Sequence, residues 1–486
     1  MTHSKLLADR GLISEEKYRR LIRTVPLTNS EKAAFIGRQL VETRQSTKAC
    51  AAILKEAYPD TEIVYAKAKN ASMFRQYGRM LGIREIERKE KRTLTAEERE
   101  LHERYEFIKV RDLNDYHHAK DAYLNIVVGN AFYTQFTQNP MNFFKDKETE
   151  SKKAAYSMNP EAFYGHTIQR NGQVAWRPGA DGTMATVRKW MKRNNILFTR
   201  MPFIARGQLF DVTILKKGKG QVPLKRGKDI AKYGGYNKAT IAYFMLVCAQ
   251  DSKNENVYVV EPVPAYLQEQ VIDDKAKQQY CTQVWAQSKS KDRKTWKNPR
   301  VIIPCIPMQS LLSVNGYRMH ITGKTNDRLI VRNAEQLCIA GEEAAVLKRV
   351  LKINNRQRGL PKDKKVCITK FDRITEENTV KLYKLFIEKM KDSIYHVKFD
   401  GQRDTLQTGM ENFEKMDLPA RCGLLEEILH FFQCNAVASD LSLVGGSKRA
   451  GILTISSKLE PAEYPCLLLQ SVTGFYEKKI PLIPEA

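Results

Sequence analysis

The chain has 486 residues, a formal net charge of +26 at pH 7 and a sequence pI near 9.5. This length suffices for two or more domains that each bury a core, and the excess of positive charge predicts a polyanionic partner. No run reaches the roughly 18 apolar residues of a transmembrane helix, and no signal-peptide core follows Met1, so we expect a cytoplasmic protein with no membrane partner. Nine cysteines without a C-x-x-C pair exclude a zinc or disulfide framework.

The N-terminal stretch is predicted to be helical. Residues 6–13 and 16–21 predict two short helices separated by a break at Gly11. Residues 30–57 predict one longer helix, with Asn29 or Ser30 as its N-cap. Helical spacing places the following residues on one face of it: Ala33, Ile36, Leu40, Thr43, Thr47 and Cys50.

Two weaker signals follow. Residues 63–66 are a short strand candidate because they are rich in β-branched and aromatic side chains. The charged stretch 84–104 predicts a solvated helix, to which we assign no chemistry.

The segment 116–129, with the sequence YHHAKDAYLNIVVG, carries the most informative signal in the chain. Residues 116–128 predict a helix whose start is capped by Asp112, Asn114 or Asp115. Helical spacing places His118, Asp121 and Asn125 on one polar face. A separate apolar stripe is predicted from Ala119, Ala122, Tyr123, Ile126 and Val127. On spacing alone, the imidazole and the carboxylate are either a satisfied surface pair or part of a catalytic site.

After about residue 195 the sequence changes toward short runs of β-branched residues between polar turns, which predict strands at 257–260, 301–303, 329–331 and 366–369. The beginning of this region is basic, with nine basic against two acidic residues between Arg206 and Lys238. Glycines interleave with Lys216, Lys217 and Lys219, where a flexible backbone can approach phosphates closely. The alternative interpretation is a solvated charged loop. Near the C-terminus, a glycine-rich turn at 440–451 precedes a predicted strand at 452–456.

Six blocks in order carry a family resemblance: 35–45 (FIGRQLVETRQ), 116–129, 141–145 (MNFFK), 185–189 (ATVRK), 232–243 (KYGGY and TIAY) and 470–477 (QSVTGFYE). Together they resemble the type II CRISPR-associated RNA-guided DNA endonucleases, the Cas-nine family, and are most like subtype II-A. Between about residues 247 and 429 no block is recognised.

The resemblance implies an α/β plus mainly-β fold class, in which a ribonuclease-H-like RuvC segment precedes a β-rich C-terminal domain that interacts with the protospacer-adjacent motif (PAM). The implied parts are the tail of an HNH nuclease domain (1–30), a linker helix between HNH and RuvC (31–50) that contains Arg38 and Arg44, the third RuvC segment (51–200) and the PAM-interacting domain (201–486). The HNH catalytic residues and the first two RuvC motifs do not occur in the sequence. We therefore expect the C-terminal portion of a larger nuclease.

The resemblance also assigns roles to residues. His118 matches the family histidine that assists water activation, and Asp121 matches a metal-binding carboxylate. His117 is expected to be structural, and Lys120 stands where several members have a histidine. The implied cofactor is Mg²⁺, with Mn²⁺ as the alternative, in a two-metal site that stabilises both the attacking and the leaving oxygen. Each Mg²⁺ takes about six oxygen donors, so this site must be completed by residues outside the chain, and the chain alone should be inactive.

The nucleic-acid contacts implied by the resemblance lie in the C-terminal domain. The PAM-reading candidates are Ser447, Lys448 and Arg449 in the glycine-rich turn. Characterised members bind guanine edges with two arginines. Here the two basic residues, Lys448 and Arg449, are adjacent and bind either guanine edges or phosphate. The segment 207–215 lies where members clamp the target-strand phosphate, with Thr213 as the candidate hydroxyl donor. The other phosphate-contact candidates are the lysines of the basic stretch, Lys216, Lys217 and Lys219.

The expected function is RNA-guided cleavage of double-stranded DNA, in which the RuvC site hydrolyses the non-target strand. The expected partners are a guide RNA (crRNA and tracrRNA), the target DNA and the missing N-terminal half of the nuclease, in a prokaryotic cytoplasm. The alternative is a non-catalytic module that binds guide RNA and PAM, and it would bind equally well in the presence of a chelator. A basic RNA-binding protein unrelated to CRISPR would instead show no motif dependence.

Overall fold

The computed structural model describes residues 3–26, 28–64, 66, 68–101, 107–135, 160–179, 181–207, 209–210, 214–215, 221–223, 229–236, 238–286, 295–339, 341–361, 363–391, 404–433 and 439–484. The chain divides into two compact units, one of residues 1–67 and 129–150 and the other of residues 68–128 and 151–486. Every helix within the described ranges is too short or too polar to traverse a bilayer. The described cysteines are free thiols.

The helices, in chain order, are α1 His3–Asp9, α2 Glu15–Leu21, α3 Asn29–Ala57, α4 Ala68–Glu90, α5 Ala96–Leu101, α6 Tyr116–Gln135, α7 Pro160–Tyr164, α8 Thr183–Met191, α9 Ile230–Tyr233, α10 Asp274–Ala286, α11 Gly341–Gln357, α12 Glu376–Lys391, α13 Thr405–Thr408, α14 Met410–Glu414 and α15 Leu418–Gln433. Short 3₁₀ turns occur at Ala265–Leu267, Lys370–Asp372, Ser442–Val444 and Pro461–Glu463.

The strands are β1 Ile168–Arg170, β2 Gln173–Trp176, β3 Ile214–Leu215, β4 Val222–Pro223, β5 Gly235–Tyr236, β6 Ile241–Gln250, β7 Asn256–Pro264, β8 Lys297–Pro307, β9 Leu311–Val314, β10 Tyr317–Thr325, β11 Arg328–Asn333, β12 Leu453–Ser456, β13 Lys458–Leu459, β14 Cys466–Gln470 and β15 Glu477–Pro481.

The N-terminal helices form largely as predicted, but the cap of α3 differs. Gly11 adopts φ +66° between α1 and α2, which is the predicted break. The N-cap of α3 is Thr28 rather than Asn29 or Ser30, because Thr28 and Glu31 satisfy each other's backbone N–H groups at 3.2 and 2.8 Å. This Thr-x-x-Glu spacing was visible in the sequence and could have located the cap.

The predicted face of α3 is exposed wherever the structure describes its side chains. Ile36 is 57% exposed, and the hydroxyls of Thr43 and Thr47 donate to the carbonyls of Gln39 and Thr43, both at 2.8 Å. Their hydrogen bonds therefore stay within the helix and do not reach another element.

Helix α6 begins at the predicted residue, but the predicted apolar stripe is wrong. Ile126 is 62% exposed, and Ala119 and Ala122 are also exposed. The buried face instead comprises Leu124, Val128, Ala131 and Phe132. Their i, i+4, i+7 and i+8 spacing appears only when the helix continues to Gln135, beyond the predicted end at residue 128.

The charged stretch 84–104 is two helices rather than one. Helix α4 ends at Glu90, Lys91 adopts φ +51°, and α5 begins at Ala96. The amide of Thr95 donates to Glu98 at 2.8 Å and the amide of Glu98 donates to the Thr95 hydroxyl at 3.1 Å, which starts the second helix. The strand candidate at 63–66 does not form a strand in its described residues.

An aromatic cluster holds α4 against the β1–β2 hairpin. The ring centroids of Phe74 and Tyr164 lie 5.4 Å apart, edge to face, and Phe74 meets Trp176 at 5.7 Å. The indole N–H of Trp176 donates to the Tyr164 carbonyl at 2.8 Å, so the buried polar atom of this ring is satisfied.

A four-stranded antiparallel sheet in the order β13-β7-β6-β8 contains the predicted strands 257–260 and 301–303. Its strand β6 is buried on both faces. Phe244 and Leu246 belong to one core, whereas Tyr243 and Met245 belong to a second core with Trp285 of α10. Coverage on both faces explains why β6 is a continuous apolar run rather than an alternating one.

A six-stranded antiparallel sheet in the order β12-β11-β10-β9-β14-β15 contains the predicted strands 329–331 and 452–456. The predicted strand 366–369 is wrong. The Val366 amide donates to the Gln357 side-chain oxygen at 2.7 Å instead of to a neighbouring strand. Helices α11, α12 and α15, which the sequence analysis did not assign, share the core of this sheet through Leu347, Phe386 and Leu425.

The architecture is therefore mixed α/β, with a helical segment followed by β-rich sheets, and the C-terminal region is less purely β than predicted. Within the described part of residues 91–201, helices α5 to α8 accompany the short β1–β2 hairpin.

One buried ion pair joins the two large sheets. The Lys324 ammonium on β10 lies 2.8 Å from the Glu261 carboxylate on β7, with side-chain exposures of 6% and 2%. The indole N–H of Trp285 donates to the same carboxylate at 2.8 Å, and Lys324 also donates to the Val260 carbonyl at 3.0 Å. Removal of the Glu261 charge would take this opposite charge away from the buried Lys324 ammonium.

We predict that Glu261→Gln lowers the free energy of unfolding by about 3–5 kcal/mol, because the amide keeps the shape but not the charge that Lys324 needs. Urea denaturation followed by circular dichroism measures the change. The matched control is Glu377→Gln, which breaks the exposed pair with Lys381 at 2.8 Å and should leave the midpoint unchanged. Equal midpoints for Glu261→Gln and the control would contradict the prediction.

Candidate active site

The first turn of α6 is held by side chains on both sides of its start. The Asn114 side-chain oxygen accepts from the Tyr116 amide at 3.2 Å, which supports the predicted role of Asn114 at the cap. The Asn114 side-chain amide donates to the Leu337 carbonyl at 2.9 Å, and the Asp115 backbone amide donates to the Gln336 side chain at 3.0 Å. These bonds position the histidines that follow.

His117 and His118 differ in environment. His117 is half-buried, its Nδ1 lies 2.7 Å from the Asn114 carbonyl and therefore donates to it, and burial lowers the pKa of its ring. His118 is exposed, and the two ring centroids lie 4.1 Å apart. This arrangement suits a structural role for His117 and leaves the His118 imidazole accessible.

His118 lines an open cavity of about 580 Å³. Leu197, Phe198 and Arg200 line the same cavity. The Arg200 guanidinium lies 4.9 Å above the Phe198 ring and 3.5 Å from the Asp115 carboxylate. An imidazole, a loosely held guanidinium and apolar side chains thus share one cavity, and the sequence analysis did not identify Arg200.

Asp121 lies one turn after His118 but interacts with different groups. Its carboxylate is ion-paired with both Arg75 of α4 and Lys109, and its side chain is 25% exposed. No hydrogen bond joins Asp121 to His118 in the described structure. The sequence analysis missed both cations because neither lies at helical spacing from Asp121, and only the tertiary fold brings them to it.

The third residue of the predicted polar face is Asn125. Its side-chain oxygen is buried and has no hydrogen-bond partner. The Asn125 oxygen is therefore a third polar group on this face of α6, besides the Asp121 carboxylate and the His118 imidazole. Among the described residues, no group of three or more His, Cys, Asp or Glu side chains could hold a metal ion. The described residues therefore do not by themselves supply the donors of a two-metal site.

The three PAM-reading candidates lie on an exposed turn. Ser447, Lys448 and Arg449 are exposed, and the Arg449 amide donates to the Ser447 hydroxyl at 3.2 Å. The Leu441 amide donates to the Ser447 carbonyl at 3.0 Å and thus closes the turn. Both basic side chains therefore face solvent from a hydrogen-bonded loop.

Glycine is required in this turn. Gly445 adopts φ +83°, and a Cβ atom on Gly446 would lie 2.7 Å from Thr405 Cγ2 and 2.8 Å from Leu441 Cβ. The turn therefore packs against α13 without space for a side chain.

The remaining predicted residues lie outside the described residues or in the first unit. Thr213, Lys216, Lys217 and Lys219 lie outside the described residues. Arg38 and Arg44 lie on α3 in the first unit, where Arg38 is exposed and the buried Nε of Arg44 has no hydrogen-bond partner.

Two adjoining cavities near Asp121 are basic. One of about 540 Å³ is lined by Lys109, Arg111, Lys348, Lys352 and Arg356, with Asp112 as its acidic residue. Lys348 also lines a cavity of about 340 Å³ together with Arg75 and Arg79. We call the two together the basic groove. Its charge suits a phosphate backbone.

Comparison with protein families matches both regions. The family model of the Cas9 RuvC domain matches residues 91–201, and that of the PAM-interacting domain of CRISPR-associated endonuclease Cas9 matches residues 206–478. The chain thus combines a RuvC-type nuclease segment with a PAM-interacting domain. Since the second match alone covers more than half of the chain, the chain belongs to the Cas9 family.

Curated relatives agree with this assignment. The CRISPR-associated endonuclease Cas9 of Listeria innocua serovar 6a is 31% identical over 247 residues, which cover 48% of this chain and 17% of that protein. The Cas9 of Streptococcus mutans serotype c is 31% identical over 283 residues, which cover 52% of this chain and 19% of that protein. The alignment therefore spans less than a fifth of the length of each relative.

We predict that Gly446→Ala lowers the free energy of unfolding by about 1–3 kcal/mol, because the added methyl group overlaps Thr405 and Leu441. Urea denaturation measures the loss. The control is Gly423→Ala in α15, where a Cβ meets nothing within 4 Å and the helix should gain about 0.5–1 kcal/mol. The close packing of the turn would be refuted by a Gly446→Ala chain as stable as the parent.

Proposed function

We propose that the chain is the C-terminal part of an RNA-guided endonuclease in which a RuvC site cleaves the non-target DNA strand and the C-terminal domain reads the PAM and binds guide RNA. The observation that carries the proposal is the pair of family matches in consecutive order, with exposed His118 and ion-paired Asp121 one turn apart on α6. The ribonuclease-H-like sheet and the boundaries 1–30, 31–50, 51–200 and 201–486 belong to this proposal. The protein acts in the bacterial cytoplasm.

In this proposal His118 accepts a proton from the attacking water, and its exposure on the cavity it shares with Arg200 supports that role. Asp121 contributes one carboxylate to a Mg²⁺ or Mn²⁺ site whose other donors lie outside this chain. Arg75 and Lys109 already neutralise that carboxylate, so a divalent cation must compete with both. This competition supports the expectation that the chain alone does not cleave DNA.

Ser447, Lys448 and Arg449 are the proposed PAM contacts. Their exposure on a turn braced against α13 supports a role in binding the edge of a duplex. The adjacent cations can bind guanine edges or phosphates, and only the former discriminates between sequences. Thr213, Lys216, Lys217 and Lys219 are proposed phosphate contacts on the sequence argument alone.

A second candidate function is a binding module without cleavage. It is favoured by the ion pairs of Asp121 and by the insufficient donor set in the described residues. The two functions differ in their need for metal, because a binding module retains DNA and RNA in chelator and cuts neither strand under any condition.

We predict that His118→Ala and Asp121→Ala each slow cleavage of the non-target strand about 10²–10⁴-fold, since each removes a group that acts on the water or the metal. The assay combines the chain with the N-terminal portion of the nuclease, guide RNA, Mg²⁺ and a duplex labelled on each strand. The control is His166→Ala, which changes an exposed histidine beyond α7. With this variant both strands should be cut at the parent rate. Parent rates on the non-target strand in both active-site variants would refute the assignment.

We further predict that the basic groove contributes to the salt dependence of nucleic-acid binding. Lys352→Met should weaken binding of single-stranded DNA and lower the slope of log affinity against log salt by about 1, because one phosphate contact is lost. Lys384→Met, at an exposed position of α12 away from the groove, should keep the parent slope. Filter binding between low and physiological salt measures both slopes, and an unchanged Lys352→Met slope would remove the groove from the interface.

A further inference from the structure

A half-enclosed cavity of about 430 Å³ lies beside the first turns of α6 and is separate from the cavity that His118 lines. From α6 it is lined by His117 and Lys120, neither of which lines the cavity of His118. Its volume lies in the range of about 300–1,000 Å³ that is typical of small-ligand pockets. Neither the nuclease site nor the PAM-reading turn uses it.

The walls of this cavity are mainly apolar. They come from the segment before α6, from the end of α8 and from the start of α11, and comprise Ile108, Val110, Leu113, Met191, Ile339 and Ala344. Because these side chains converge from separate elements, the cavity is a product of the tertiary fold. Apolar walls suit a ligand with a hydrophobic or aromatic body.

The polar groups at the cavity are cationic or neutral. Lys120 is half-buried and makes no hydrogen bond or ion pair with any described residue. Lys192 and Asn194 also line the cavity, and no carboxylate does. An ammonium group removed in part from water, with no anion beside it, favours an anionic ligand.

Asn114 also lines the cavity, but both polar atoms of its side-chain amide make hydrogen bonds within the protein that hold the start of α6. The side chain of Asn194 makes no hydrogen bond to the described residues. Asn194 can therefore bind the polar edge of a ligand, and Lys120 its anionic end.

We propose that this cavity receives one nucleotide of the bound nucleic acid, unstacked from its neighbours, with its base against the apolar walls and its phosphate at Lys120. A base has the flat apolar faces that the walls require, and its phosphate supplies the missing anion. The proposal rests on the proposed function, because it assumes a nucleic-acid partner. The shared chemistry is a nucleoside monophosphate unit, which guide RNA and DNA both contain.

The test measures binding of 2-aminopurine riboside 5′-monophosphate, its 2′-deoxy form and the two unphosphorylated nucleosides to the full chain in chelator. Fluorescence quenching reports the transfer of the base into the cavity. The parent chain should bind each monophosphate about tenfold more tightly than its nucleoside, because the phosphate forms a charge-assisted contact with Lys120. Lys120→Met should abolish this phosphate preference while the nucleosides bind as before.

Two further variants keep the test decisive. Ala344→Leu fills the cavity and should weaken all four probes, with circular dichroism to check that the chain is folded. Lys297→Met, an exposed lysine on β8, should retain the tenfold preference. Tighter binding of the ribonucleotide assigns the occupant to guide RNA and tighter binding of the deoxyribonucleotide assigns it to DNA, and both support the proposal.

The assay needs no metal, no second polypeptide and no cleavage, so its outcome is independent of whether His118 and Asp121 act in catalysis. A chain that fails to cut in the cleavage assay can still show the phosphate preference, and a cutting chain can lack it. The proposal is overturned if Lys120→Met keeps the preference, or if the parent chain quenches neither monophosphate at millimolar concentration.

Discussion

The C-terminal two-thirds of the structure depends on one strand that is covered on both faces. Strand β6 sends Phe244 and Leu246 into the core shared with the six-stranded sheet and its helices, and Tyr243 and Met245 into the core under α10. The side chains from Ala242 to Ala249 are thereby all buried, and removal of apolar surface from water is the dominant favourable contribution to folding. The buried Lys324–Glu261 pair crosses between the two sheets at the same level and restricts how they pack.

Around the candidate active site, electrostatics matters more than hydrophobic burial. Asp121 is neutralised by Arg75 and Lys109, and further basic residues extend from it along the basic groove. A polyanion bound in this groove would bring phosphate charge toward the same two cations. Such a phosphate would compete with the Asp121 carboxylate for Arg75 and Lys109.

Two neighbouring faces of the start of α6 line different cavities. His118 opens onto a cavity with Arg200, whereas His117 and Lys120 line the apolar cavity. Because the bonds of Asn114 and Asp115 fix the start of the helix to residues 336–337, both cavities depend on the same few contacts. A change in how these contacts form would alter the two cavities together.

The sequence by itself determined the features that depend on local spacing and residue identity. It predicted the start of α6, the glycine break at Gly11, four of the strands and the family, because capping, periodicity and motif identity are encoded within a few neighbouring residues. It misplaced the buried stripe of α6. Both faces of the helix carry apolar residues, and packing against other elements decides which face is buried. It also read 366–369 as a strand, because it could not foresee that Gln357 would take the Val366 amide.

Only the tertiary structure decided the surroundings of the candidate site. Arg75 and Lys109 reach Asp121, Arg200 shares the cavity of His118, and Lys120 joins six apolar side chains from distant segments. None of these neighbours is set by helical or strand periodicity, because long-range packing brings them together. The candidate site residues could thus be proposed from the sequence, whereas their charge partners and cavities could not.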